Sequence, residues 1–103
     1  MKLSIVATAL LALTGTIGMA QTIPQRQINQ QGRIAEGVRS GQLTGRETRN
    51  LEFRERSINR QERFMRRAND GRLTRRDRAV LNYRLNRTSR AIYRNKHNAF
   101  HRG

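Results

Sequence analysis

The sequence predicts a small all-α protein, a helical hairpin or three-helix arrangement built on an internal duplication of thirty residues. Two observations lead to this fold class. The same glycine–leucine–threonine–acid punctuation occurs twice, and the stretch after each copy spaces its apolar residues at helical period. A third bounds it: one proline and no cysteine leave neither frequent breaks nor a disulfide framework.

The duplication is direct. Gly41-Gln42-Leu43-Thr44-Gly45-Arg46-Glu47 returns as Gly71-Arg72-Leu73-Thr74-Arg75-Arg76-Asp77. Onward, Leu51 matches Leu81, Phe53 matches Tyr83, Arg54 matches Arg84 and Arg60 matches Arg90. The units run over about 33–62 and 63–92. Two units are fewer than an extended solenoid needs, so a duplicated hairpin describes them better.

Each element follows from its own signals. The expected helices cover 24–39, 44–68 and 75–96. The first is the weakest, interrupted by Gly32 and Gly37 and rich in glutamine. Glycines at 41 and 71 suit helix ends, because glycine accepts positive φ without steric cost. Thr44 and Thr74 then stand at N-caps, with Glu47 and Asp77 three residues later to reach back to the cap. The second helix spaces Leu51, Ile58 and Met65 seven apart, and Phe53, Phe64 and Ala68 are expected to widen that apolar arc. The third aligns Leu81, Leu85, Thr88 and Ile92. Residues 21–23 and a basic tail over 97–103 are expected as loose ends.

Residues 1–20 have the plan of a cleaved signal peptide. Lys2 gives the positive start, Leu3 to Leu13 is an apolar run too short to span a bilayer, and Gly18-Met19-Ala20 offers small residues for cleavage after Ala20. A periplasmic or secreted bacterial location is the expectation, with no transmembrane segment in the mature chain. The mature 83 residues carry 21 bases against seven acids, a net +14, and all but one base is arginine. Arginine favours planar, two-pronged contact with phosphate or carboxylate. Fifteen Leu, Ile, Val and Phe make a thin apolar complement. Partial disorder of the free protein is therefore an alternative.

At ~100° per residue, Arg76, Tyr83, Arg87, Arg90 and Arg94 share one face of the third helix, opposite its apolar stripe. The second helix repeats the row with Arg49, Arg56, Arg60, Arg63 and Arg67, diluted by Glu52, Glu55 and Glu62. Glu52–Arg56 and Glu62–Arg66 read as i,i+4 pairs that support the helix. Guanidinium groups one turn apart can meet successive phosphates, and Tyr83 can stack on a ring. Solvated helix faces are the plain alternative for both rows.

No catalytic set can be assembled, and a non-enzyme without cofactor or metal is expected. His97 and His101 have a metal-compatible spacing but no acidic or cysteine partner. Asp70-Gly71-x-Leu73-Thr74-x-x-Asp77 resembles the latter half of an EF-hand calcium loop, with Gly71 at the bend. Arg66 and Ala68 stand at its first and third ligand positions, and Val38 at the third of the other copy, which leaves the turn geometry without the oxygen ligands calcium needs. A degenerate EF-hand-like structural protein is thus one reading.

The doubled Leu-Thr-x-x-acid motif also resembles the LTxxQ motifs of the Spy and CpxP family of periplasmic helical proteins, with Glu47 and Asp77 in place of glutamine. That resemblance implies a chaperone or stress-associated role with unfolded clients as partners. The run Arg33 to Thr44 and the ending Ser89 to His97 are similar to a group of small secreted bacterial proteins, and that similarity brings no functional residues. The leading expectation is a polyanion partner, lipopolysaccharide phosphate, extracellular nucleic acid or an acidic envelope polymer. A Spy-like chaperone and a plain helical adaptor are the rivals, with homo-oligomerisation open.

Overall fold

The structure, a computed structural model, describes residues 21–98. The signal-peptide segment, His101 and the end of the tail lie outside them. Among the described residues the chain forms three α-helices: α1 (Ile23–Arg39), α2 (Gly45–Ala68) and α3 (Arg75–Asn98). Helix α3 packs on both α1 and α2, which touch one another less.

Each helix start is fixed by a side chain. Thr22 Oγ1 accepts the Gln25 N–H at 3.2 Å, and Pro24 sits in the first turn, where its missing N–H costs nothing. Ahead of α2, Thr44 Oγ1 accepts from Glu47 N (3.1 Å) while Thr44 N donates to Glu47 Oε1 (3.0 Å). The second copy repeats this before α3, with Asp77 N to Thr74 Oγ1 at 2.9 Å and Thr74 N to Asp77 Oδ2 at 3.1 Å.

Gly41 (φ 78°) and Gly71 (φ 83°) adopt the left-handed conformation that ends α1 and α2. Gly37 answers a different need. A Cβ there would lie 2.6 Å from Leu43 Cδ1, so its absence lets the first turn fold back onto α1.

The duplication extends to burial. Leu43 and Leu73 are 7% and 8% exposed, Leu51 and Leu81 are both fully buried, and Phe53 and Tyr83 are 60% and 59% exposed. Apolar packing falls into two clusters. Ile23, Ile58, Leu73, Leu81 and Leu85 form one, with Met65 against it; Ile34, Leu43, Leu51, Ala91 and Ile92 form the other. On each helix one buried polar residue falls between them in sequence: Gln30 on α1, Glu55 on α2 and Thr88 on α3.

Several expectations need correction. Phe53, Phe64 and Ala68 are exposed, not part of the apolar arc. At ~100° per residue they fall on the outer side of α2, past the edge of the Leu51–Ile58–Met65 stripe. Ile23 is helical and buried, because the Thr22 cap starts α1 early enough to place it in the first cluster. At the other end α3 runs on through His97 and Asn98. The His97 ring stacks on Tyr93 (centroids 3.7 Å apart), and its Nδ1 lies 2.7 Å from the Tyr93 carbonyl oxygen.

Candidate polyanion interface

The arginines divide by the direction in which their helix turns them. Those facing a neighbouring helix are bonded. Arg26 donates to Asn82 Oδ1 (2.9 Å) and Asn86 Oδ1 (2.8 Å), and burial lowers its pKa from the ordinary value. Arg33 reaches Ser89, and Arg84 donates to Gln61 and Ser57. Arg66 pairs with Glu62 at 2.9 Å and also donates to the Gly71 carbonyl at 3.1 Å.

The row on α3 is placed otherwise. Arg76, Tyr83, Arg87, Arg90 and Arg94 are all exposed on its outer side. Arg76, Arg90 and Arg94 make no hydrogen bond or ion pair with the described residues. The Arg87 guanidinium lies over the Tyr83 ring, 5.9 Å from its centroid, within cation–π range. Tyr83 and Arg87 line a hollow of about 320 Å³ with Arg54 and Arg84, at the α2–α3 seam. Arg90 and Arg94 line a second, of about 390 Å³, with Tyr93.

On α2, Arg49, Arg56, Arg60, Arg63 and Arg67 are likewise exposed. Arg63 donates to Asn59 Oδ1 at 2.8 Å. Phe53 (60% exposed) and Phe64 (66%) flank this row, eleven residues and hence about 20° apart around the helix. Arg49 and Phe53 share a hollow of about 600 Å³ with Arg46 and Arg54. The outer side of α2 therefore alternates guanidinium with aromatic surface.

Two acids of α2 depart from a simple solvated, arginine-paired role. Glu52 does not pair with Arg56; its Oε1 accepts from Gln31 Nε2 of α1 at 3.0 Å. Glu55 is 3% exposed, and neither carboxylate oxygen has a hydrogen-bond partner among the described residues. Gln27 of α1 donates to its main-chain carbonyl at 3.3 Å. Burial, and then the charge of Glu52, push the Glu55 pKa up to about 7, against a smaller lowering by the Gln27 side-chain amide. A groove of about 470 Å³ separates α1 from α2 here, lined by Pro24, Gln27, Ile28 and Gln31 on one side and Glu55, Arg56, Asn59 and Glu62 on the other. The signal for Glu55 was present: it lies four residues after Leu51 and three before Ile58, both on the buried stripe.

The second of the turns that resemble calcium loops carries a guanidinium. Arg66, at the first would-be ligand position, donates to the loop carbonyl of Gly71. Among the described residues no three His, Cys, Asp or Glu side chains are grouped to hold a metal ion, and no helix is long and apolar enough to cross a membrane. Comparison with known proteins leaves the chain alone: no family model, no curated protein and no solved structure matches it.

Proposed function

We propose that this is an exported, non-catalytic helical protein that binds phosphate-bearing polyanions through the outer sides of α2 and α3. One observation carries the reading: Arg26, Arg33 and Arg84 are bonded to neighbouring helices, whereas Arg76, Arg90 and Arg94 stand exposed without hydrogen-bond or ion-pair partners among the described residues. A row of unengaged guanidinium groups can release condensed counterions from a polyanion and form two-pronged contacts with its phosphates. Phe53, Phe64 and Tyr83 add surface on which a base, sugar ring or acyl chain can lie.

Binding to DNA and to lipopolysaccharide, measured across salt, tests this. Replacing Arg76, Arg87, Arg90 and Arg94 by glutamine should leave the helices intact and weaken binding about 100-fold at ~0.1 M salt. The salt slope should fall by about one unit for each phosphate no longer neutralised. The matched control replaces the exposed Arg39, Arg72, Arg75 and Arg78, which lie in neither row. Equal losses in both variants mean that bulk charge alone acts. A specific observation favours a second reading, retention of unfolded clients: two phenylalanines stand exposed on α2. Client binding that persists as salt rises, with no polyanion bound at ~0.1 M, would put that reading first.

A further inference from the structure

The groove between α1 and α2 is separate from the arginine rows, and its chemistry has the opposite sign. Three of the seven acids, Glu52, Glu55 and Glu62, lie on the side of α2 turned to α1. Two are engaged, Glu52 by Gln31 and Glu62 by Arg66. Glu55 is not. Its side chain is buried, and neither oxygen has a hydrogen-bond partner of good geometry among the described residues, although the chain holds twenty arginines. Only the Gln27 amide lies near enough to offset part of the pKa rise. A buried carboxylate without a well-placed donor is a rare arrangement that calls for a cation or a proton.

We propose that this groove binds the ammonium end of a small alkylamine, with the Glu55 carboxylate as its counter-ion. The walls specify the rest of the ligand. Pro24 and Ile28, the latter 64% exposed, offer apolar surface for an alkyl stem. Gln27 brings a side-chain amide whose oxygen can accept a remaining ammonium proton, while Asn59 Oδ1 already accepts from Arg63. A metal ion fits less well, since no group of three metal-ligating side chains is found among the described residues. The Glu55 oxygens are closed off from solvent, so the ligand must part the sparsely packed α1 and α2 to reach them. An ammonium, a compact charge on a flexible stem, needs less opening than a wide, planar guanidinium. Neutral side chains are all that α1 contributes to the lining; the charged groups, Glu55, Glu62 and Arg56, come from α2. Since burial raises the Glu55 pKa to about 7, ammonium binding must displace a proton and should strengthen as pH rises through that value.

The site stands independently of polyanion binding. Its test is titration of the protein with n-hexylammonium at ~0.15 M salt, followed by calorimetry and by carboxyl-carbon NMR of Glu55. Saturation should lower the Glu55 titration midpoint by at least one pH unit, and binding at pH 8 should exceed that at pH 5.5 at least tenfold. Glu55→Gln should weaken binding at least tenfold. Ile28→Ser, at an exposed wall position that leaves the fold alone, should weaken it several-fold. Neutral 1-hexanol should bind far less than the amine. Equal binding of hexanol, or a Glu55 midpoint that the amine does not move, would overturn the proposal and leave Glu55 as a carboxyl held protonated by burial alone.

Discussion

The two seams of α1 are built in opposite ways. Toward α3, charged and amide donors are matched: Arg26 bridges Asn82 and Asn86, Gln30 Nε2 donates at 2.8 Å to both the Leu85 carbonyl and Ser89 Oγ, and Lys96 Nζ reaches the Arg33 carbonyl at 3.2 Å. Gln30 Oε1 is the one buried neutral side-chain atom left without a partner among the described residues. Toward α2 the packing is sparse, a groove remains, and the most buried acid has no well-formed hydrogen bond to its carboxylate among the described residues. A thin apolar core can hold a polar helix against one neighbour by hydrogen bonds, each adding about 1 kcal/mol. That leaves the other edge of the helix as the weaker one. Helix α1 is thus docked by α3, with the α2 edge the place where a ligand or a proton acts.

The largest expected effect lies at the α2 seam. Folding raises the Glu55 pKa to about 7 from an ordinary 4.5, so the folded chain holds a proton that the unfolded chain releases. This contribution is complete below the unfolded value, is lost as pH rises toward 7, and stays lost above it. Urea unfolding should therefore show the protein about 2–3 kcal/mol less stable at pH 8 than at pH 5 from this group. Glu55→Gln should abolish that part of the slope. Identical pH slopes for the two proteins would show that the seam does not exclude water from the carboxylate, and the contrast between the seams would go with it.

Next in size is the α3 seam. Arg26→Ala removes two hydrogen bonds and should cost about 1–2 kcal/mol, read as a shift in urea midpoint. Gln31→Ala, which removes the exposed bond to Glu52 across the other seam, should stay within ~0.5 kcal/mol. Equal costs would mean that α1 is held by both neighbours alike.

The three helices and the duplicated turns were legible because their signals are local. A glycine at positive φ, a threonine and an acid three residues on define a helix boundary within one turn of chain. Thr22 and Gln25 carry the same threonine-led spacing, and reading them so would have moved the start of α1 and the burial of Ile23. The placement of Phe53 and Phe64 was not legible in that way. Residue type suggests burial, but among the described residues α2 meets only α1 and α3, and no described element covers its third side. The outward direction of the arginine rows followed from helical period, whereas the bonding of Arg26, Arg33 and Arg84 depends on which helix lies opposite. Period alone does not give that.

The smallest effect separates a turn that only caps from a turn that binds. Thr74→Ala deletes the hydroxyl that accepts the Asp77 N–H, while the Asp77 carboxylate keeps its bond to the main-chain nitrogen of residue 74. Half of the capping box survives, so the loss should be about 1 kcal/mol. For a domain of this size that is a fall of roughly 4–8 °C in Tm. Thr74→Ser retains the hydroxyl and should fall by much less. Calcium should move neither protein, because the Arg66 guanidinium already binds the Gly71 carbonyl that faces the loop, and its charge repels a cation. A calcium-dependent rise in Tm for the wild type that Thr74→Ala removes would show that the turn takes metal after all. If instead serine costs as much as alanine, the threonine methyl rather than its hydroxyl holds the start of α3.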